Sequence, residues 1–233
     1  MTGRETVGCL VPAAGLGVRL GPGRPKALRE LAGEPLLVHA LRGLRAVPEI
    51  GPVVVAVPPA DVEAVAALLA AYDVSVVAGG ASRQDSVRLA LAALPGEVGL
   101  VLVHDAARCL VPASVVTAVV DALRSGAGAV VPVLPVSDTI KQVDGQRVVA
   151  TVDRSSLRAV QTPQGFARGV LERAHAAGTQ DATDDAGLVE AVGGTVTTVA
   201  GSDEAFKLTG PLDLLLAEAV LAARTAEEDA RDR

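Results

Sequence analysis

The chain has 233 residues, half of them hydrophobic and 21% charged, enough for one large domain with a sizeable core. Aromatic residues are nearly absent (no Trp, one Tyr, two Phe), so the core is Val, Leu and Ala, and no row of flat side chains offers single-stranded nucleic acid a stacking platform. A net charge of −6, from 27 acidic and 21 basic residues, argues against a nucleic-acid polymer or an anionic membrane as partner, while local basic clusters can still hold a small phosphate ligand.

The first predicted element is a strand over 7–12, apolar and carrying Cys9. With only Cys9 and Cys109 present, no disulfide framework is expected, and a reducing cytoplasm is the expected compartment. The N-terminus lacks the long apolar segment of a signal peptide, and no run of about 18 apolar residues reads as a membrane span. Further strands are expected over 52–57, 74–78, 100–104 and 129–133, apolar throughout, as suits strands covered on both faces. Helices are expected between them, near 36–46, 61–71, 82–94 and 114–123. In the second, Val62, Val65, Ala66 and Leu69 share one stripe. Strand and helix alternating in this way predict an α/β fold of three layers around a mainly parallel sheet.

The rhythm breaks after Val133. Two polar-flanked strands, 136–143 and 147–152, joined by a turn at Asp144-Gly145, predict an inserted β-arm over about 135–160. A hairpin alone is marginally stable, so the arm is expected to pack on something else, such as a second subunit. A helix near 167–177 follows. Thr183-Asp184-Asp185 then reads as a helix start, with Thr183 as cap and both acids at the positive end of the dipole. A strand over 195–199 and a last helix, opening after Thr209 with Pro211 in its first turn and running to about 224, complete a single domain. The charged tail, 225–233, is expected to fray.

Three runs carry chemistry. Residues 12–20, PAAGLGVRL, follow the first strand, where small residues let backbone N–H groups approach phosphates. The run lacks the Gly-Lys-Ser/Thr ending of a Walker loop and the third glycine of a dinucleotide fingerprint. It continues through Gly23-Arg24-Pro25-Lys26, so Arg19 and Lys26 place two cations in a glycine-rich loop at a strand's carboxyl end, where open α/β sheets bind ligands. Phosphoryl and nucleotidyl transfer need that charge more than a nucleophilic side chain. Residues 79–86, GGASRQDS, repeat the theme: Gly79 and Gly80 permit close approach, and Arg83 and Ser86 lie in the first turn of the next helix, with Ser82 as its cap. Residues 103–108, VHDAAR, end the fourth strand. Asp105 there is a natural partner for Mg²⁺, directly or through water; Arg108 would contact phosphate or brace Asp105; His104 reads as packing. No hydrolytic triad and no zinc-ligand spacing occurs.

These runs, together with Asp138-Thr139-Ile140-Lys141, Val152-Asp153-Arg154, QTPQGF at 161–166, Thr183-Asp184-Asp185-Ala186 and KLTGPLDL at 207–214, occur in an order that closely resembles the 2-C-methyl-D-erythritol 4-phosphate cytidylyltransferase family of the non-mevalonate isoprenoid pathway. The likeness covers about residues 7–220. It implies a Rossmann-like nucleotidyltransferase fold, and a homodimer whose arm reaches the partner's active site. It also implies CTP and 2-C-methyl-D-erythritol 4-phosphate as substrates, with Mg²⁺ or another divalent cation required. By resemblance, Arg19 and Lys26 would stabilise the α-phosphate, and Pro12, Ala13, Ala14, Gly15 and Gly17 would wrap the triphosphate. Gly80, Arg83 and Ser86 would surround cytosine and ribose, with Asp105 and Ala106 beside ribose and metal. Thr139 and Arg154 on the arm would hold the substrate phosphate, completed by Arg108, Thr162, Thr183 and Lys207. The roles of Thr139, Arg154, Thr162 and Lys207 rest on resemblance alone. The chain departs from the family's usual pattern at Cys109, where proline is common, at Ala81, where an acid can stand, and at Ala205, where Asn is common. The nearest rival, a ribitol-5-phosphate cytidylyltransferase, shares fold and mechanism and is disfavoured by the small Ala106-Ala107 pair; a rival of another class, a non-catalytic nucleotide-binding module, is disfavoured by Arg19, Lys26, Asp105 and Lys207 occurring together.

Overall fold

The computed structural model describes residues 5–15, 25–178 and 182–231. In chain order the elements are β1 (Val7–Pro12), β2 (Glu30–Leu31), β3 (Glu34–Pro35), α1 (Leu36–Arg45), β4 (Ile50–Val57), α2 (Val62–Leu68), β5 (Ser75–Ala78), α3 (Arg83–Ala93), β6 (Leu100–Val103) and α4 (Ala113–Arg124). They continue as β7 (Ala129–Pro135), β8 (Ile140–Asp144), β9 (Arg147–Val152), β10 (Arg158–Val160), β11 (Gln164–Ala167), α5 (Arg168–Ala176), α6 (Asp185–Ala191), β12 (Thr197–Ala200) and α7 (Pro211–Arg231).

Eight strands form the main sheet in the order β10-β7-β11-β6-β1-β4-β5, with β12 on β7. β1 runs parallel to β4 and β6, β4 to β5, and β7 to β12. β11 runs against both of its neighbours, β6 and β7. Side chains alternate between two buried faces. Cys9, Val11, Val53, Val55 and Leu102 join Leu37, Leu41, Val116 and Val119 from α1 and α4. Leu10, Val54, Ala56, Val101 and Val103 join Val87 and Leu91 of α3, Leu171 of α5 and Leu188 of α6. Both faces being covered explains why these strands are apolar at every position. The three-layer, mainly parallel sheet expected from the sequence is therefore present. Both cysteines are free and buried, and burial pushes each thiol up to about 12.

Some elements differ from expectation. β8 starts at Ile140 rather than 136. Asp144 pairs with Arg147, so the two loop residues are Gly145 and Gln146 rather than Asp144 and Gly145. Gly145, at φ +57°, takes the first loop position, which a type II′ turn reserves for glycine. The pair β8–β9 forms its own two-stranded sheet and exposes Val143, Val148 and Val149. α6 is capped by Asp184, whose carboxylate accepts the Gly187 N–H at 2.9 Å, not by Thr183, which is exposed. α7 does not stop near 224 but continues to Arg231, since Ala226, Glu227 and Ala230 are strong helix formers. Its inner face packs Leu214, Ala217, Val220 and Leu221 against Leu31, Leu36 and Leu208. No helix among the described residues is long and apolar enough to cross a membrane.

Candidate active site

The carboxyl ends of β1, β5 and β6 lead into the three motif loops. β11 is antiparallel, so it begins at this same edge: Gln164 pairs with Val103, which brings Thr162 beside Asp105. At β5 the two glycines are required by close packing. A Cβ on Gly79 would lie 2.8 Å from that of Ala14 and 2.9 Å from Ser86 Oγ, and one on Gly80 only 2.3 Å from Asp85 Cβ. Ser82 caps α3 by accepting the Asp85 N–H at 3.0 Å. Buried Ser86 accepts the Gly80 N–H at 3.1 Å and donates to Ser82 O at 2.9 Å. Between the β1 and β5 loops lies a cavity of about 150 Å³, lined by Pro12, Ala14, Gly15, Gly80, Arg83 and Ser86 together with Ala81 and Ser82.

Asp105 is the electrostatic centre of the edge. Arg83 Nε donates to one of its oxygens at 3.1 Å and Lys207 Nζ to the other at 2.7 Å, and the carboxylate side chain is only 13% exposed. Burial alone would raise its pKa, but Arg83 and Lys207 outweigh it and hold the group well below the usual carboxylate range. Lys207 is brought there by the extended segment before α7, where the Leu208 N–H donates to Ala107 O at 2.8 Å. The second branch of Arg83 donates to Asp185 Oδ2 at 2.7 Å, and His175 Nε2 meets Asp185 Oδ1 at 3.0 Å. Burial opposes the Arg83 charge, yet Asp185 and Asp105 together raise its pKa.

The backbone of Asp105 is held as well as its side chain. Its N–H donates to Thr162 Oγ1 at 3.0 Å, and that hydroxyl lies 3.2 Å from His104 Nδ1. His104 is fully buried, and burial pushes its pKa down to about 4, so it is neutral at pH 7. Gln164 locks α6 to the sheet, donating to Asp184 Oδ2 at 2.6 Å and accepting the Ala186 N–H at 3.1 Å.

A sequence model of the 2-C-methyl-D-erythritol 4-phosphate cytidylyltransferase family matches residues 7–223. The chain belongs to this family. Proteins of that name from Saccharopolyspora erythraea and Streptomyces coelicolor are 59% and 56% identical to it, covering 93% and 92% of the chain and 100% and 84% of themselves. The crystal structure of the Thermus thermophilus protein of that name is 39% identical, covers 93% of this chain and 98% of its own, and superposes with a TM-score of 0.76. A 4-diphosphocytidyl-2C-methyl-D-erythritol synthase from Anaerococcus prevotii is 27% identical, covers 94% and 99%, and reaches 0.82.

Within this family member the residues singled out from sequence form two clusters, and the others stand apart. Pro12, Ala14, Gly15, Gly80, Arg83 and Ser86 line one cavity; Asp105, Thr162 and Lys207 meet beside Arg83, with buried Ala106 following Asp105. Ala13 continues the sheet, its N–H donating to Ala56 O at 2.7 Å. Half-buried Lys26 opens a short turn, its N–H donating to Gly15 O at 3.3 Å. Arg108 braces backbone, donating to Ala205 O at 2.8 Å and Val160 O at 3.0 Å. Thr139 and Arg154 are exposed beside the β8–β9 hairpin, Arg154 donating to Ser137 O, and no hydrogen bond among the described residues ties either to Asp105. Gly17 and Arg19 lie outside the described residues. Sequence reasoning placed Asp185 only at a helix start, without its partners, and passed over His175. The available signal was position: Asp185 precedes Leu188 and Val189 by three and four residues, and His175 follows Leu171 by four, so both ionisable groups fall on buried helix faces.

Proposed function

We infer that the protein transfers CMP from CTP to 2-C-methyl-D-erythritol 4-phosphate, releasing pyrophosphate. An oxygen of the sugar-alcohol phosphate forms a bond to the α-phosphorus of CTP as the bond from that phosphorus to the bridging oxygen breaks, and the electron pair leaves with pyrophosphate. The observation that carries this reading is Asp105, kept ionised between Arg83 and Lys207 beside the glycine-lined cavity at the carboxyl edge of the sheet. The reacting groups are all anionic, so the work left to the protein is positioning and charge stabilisation. Ala14, Gly15 and Gly80 admit the nucleotide closely, and Arg19 and Lys26 stabilise charge at the α-phosphate as the second anion arrives. Lys207 receives the sugar phosphate, while the buried Thr162 hydroxyl, bonded to the Asp105 N–H and beside His104, holds the turn next to it.

Asp105 is the residue that would hold Mg²⁺. Among the described residues no group of three or more His, Cys, Asp or Glu side chains converges, and a single carboxylate fits an ion that takes one or two carboxylates and fills its shell with phosphate oxygens and water. When bound, the ion supplies charge neutralisation of the triphosphate. The β8–β9 hairpin serves as the arm of a homodimer, bringing Thr139 and Arg154 to the partner's substrate phosphate. Support for this comes from its separate sheet and its exposed Val143, Val148 and Val149. With two free, buried cysteines the protein suits the cytoplasm.

The deciding experiment measures pyrophosphate release from CTP with Mg²⁺ and either 2-C-methyl-D-erythritol 4-phosphate or ribitol 5-phosphate. Release with the first and little with the second is expected. Turnover of ribitol 5-phosphate alone, or of neither, overturns the assignment.

A further inference from the structure

Arg83 is committed in two directions. Its Nε is held by Asp105 and its Nη1 by Asp185, and the other oxygen of Asp185 meets His175 Nε2. Lys207 and Arg83 reach solvent, with side chains 42% and 31% exposed, whereas Asp185 and His175 are buried to 1% and 3%. None of the chemistry proposed above uses these two residues.

A buried carboxylate is a poor way to hold helices together, because removing it from water cancels much of the attraction of its partners. The contact of α5 with the α6 face already has Leu171, Leu188 and Val189 for that purpose. What Asp185 adds is direction. A guanidinium is planar, with its donors in a fixed fork, so fixing two of its edges on carboxylates from different elements sets the orientation of the whole plane. His175 fixes the carboxylate in turn. Its Nδ1 is buried and has no hydrogen-bond partner among the described residues, so the ring's polar contact in the fold is the one to Asp185.

We propose that Asp185, clamped by His175, is a positioning residue that fixes Arg83 as the wall of the nucleotide cavity and thereby sets the angle of Asp105. Without it, Arg83 is free to turn fully onto Asp105 or to swing into the cavity. The inference rests on the reading of that cavity as the nucleotide's.

The test compares His175→Leu, His175→Gln and Asp185→Asn in the full chain, measuring kcat, both KM values and the unfolding temperature. Leu fills the space without a donor, whereas Gln keeps an N–H able to reach Asp185. His175→Leu is expected to lower kcat/KM for CTP about tenfold, the scale of one lost hydrogen bond to a charged group, and Asp185→Asn at least about as much. His175→Gln restores most of the loss, and KM for the sugar phosphate changes less than that for CTP. Folded His175→Leu with wild-type kinetics, whatever its unfolding temperature, overturns the proposal. So does His175→Gln performing no better than His175→Leu. Should Asp185→Asn fail to fold, the His175 pair decides. A wild-type chain that released no pyrophosphate would strike the function rather than this inference, which is then read from CTP binding by calorimetry in the same variants, with the same order of effects expected.

Discussion

Lowering the pH from 7.5 to 5 tests how the Asp105 turn is held, through His104. The ring is fully buried, and burial, helped by Arg108 and opposed by Asp105, brings its pKa down to about 4. In the unfolded chain a histidine titrates near 6.5. The unfolded state therefore binds the proton first, so the stability associated with neutral His104 is complete above about pH 6.5 and is lost as the pH falls toward 4. A gap of roughly 2.5 pH units, at about 1.4 kcal/mol each, amounts to about 3 kcal/mol in all, of which about 2 kcal/mol falls between pH 7.5 and 5. Asp105 and Asp185, whose folded pKa values are depressed, contribute stability that is lost only below the ordinary carboxylate range, and so lie outside this window. For a domain of this size about 2 kcal/mol corresponds to a fall in Tm of about 4–8 °C. The assay is thermal unfolding followed by circular dichroism at several pH values, for the wild type and for His104→Gln, which cannot take up the proton. The variant's profile should be nearly flat over the window. A flat wild-type profile, or an equally steep one in the variant, would refute the reasoning.

Further outcomes are expected. Arg19→Ala and Lys26→Ala should each lower turnover by roughly 10²-fold or more, the scale of one lost transition-state donor, as read by pyrophosphate release; near-normal rates in both would remove their assigned role. Gly80→Ala places a methyl 2.3 Å from Asp85 Cβ. It should raise KM for CTP about tenfold through a shifted loop, at a cost of about 1–3 kcal/mol, and an unchanged KM counts against the cavity as the nucleotide's. If the hairpin is the dimer arm proposed above, Val149→Glu should shift sedimentation toward monomer without lowering Tm by more than about 2 °C, as expected of an exposed substitution; sedimentation the same in variant and wild type would overturn that assignment.

Much of this fold could be read in advance because its signals are local. Residues 7–12 are apolar on both faces and were expected and found as β1, and Pro211 marks the first turn of α7. β11 was not legible as a strand: Gln164-Gly165-Phe166-Ala167 is short and contains a glycine, and β6 and β7 on either side give it its conformation. Gly165 is needed there because a Cβ would meet Val119 at 2.5 Å, a constraint that only the packed structure reveals. In the site, the glycine loops and Asp105 announced themselves by type and place. The Arg83–Asp185 pair did not, since it joins residues 102 positions apart. Of the two neighbouring acids, Asp184 obeys the local rule for a helix start, while Asp185 answers to a partner on another helix.

The reversed direction of β11 has a consequence for the order in which competence is acquired. Asp105 is emplaced by Thr162, by Arg83 and by Lys207, three segments widely separated along the chain. A nascent polypeptide ending before the segment that leads into α7 would carry every glycine loop, Arg83 and Thr162, yet lack the lysine that grips the second oxygen of Asp105. Turnover then waits for the closing stretch of chain to dock, and loosening that stretch would silence the enzyme while its sheet stayed whole.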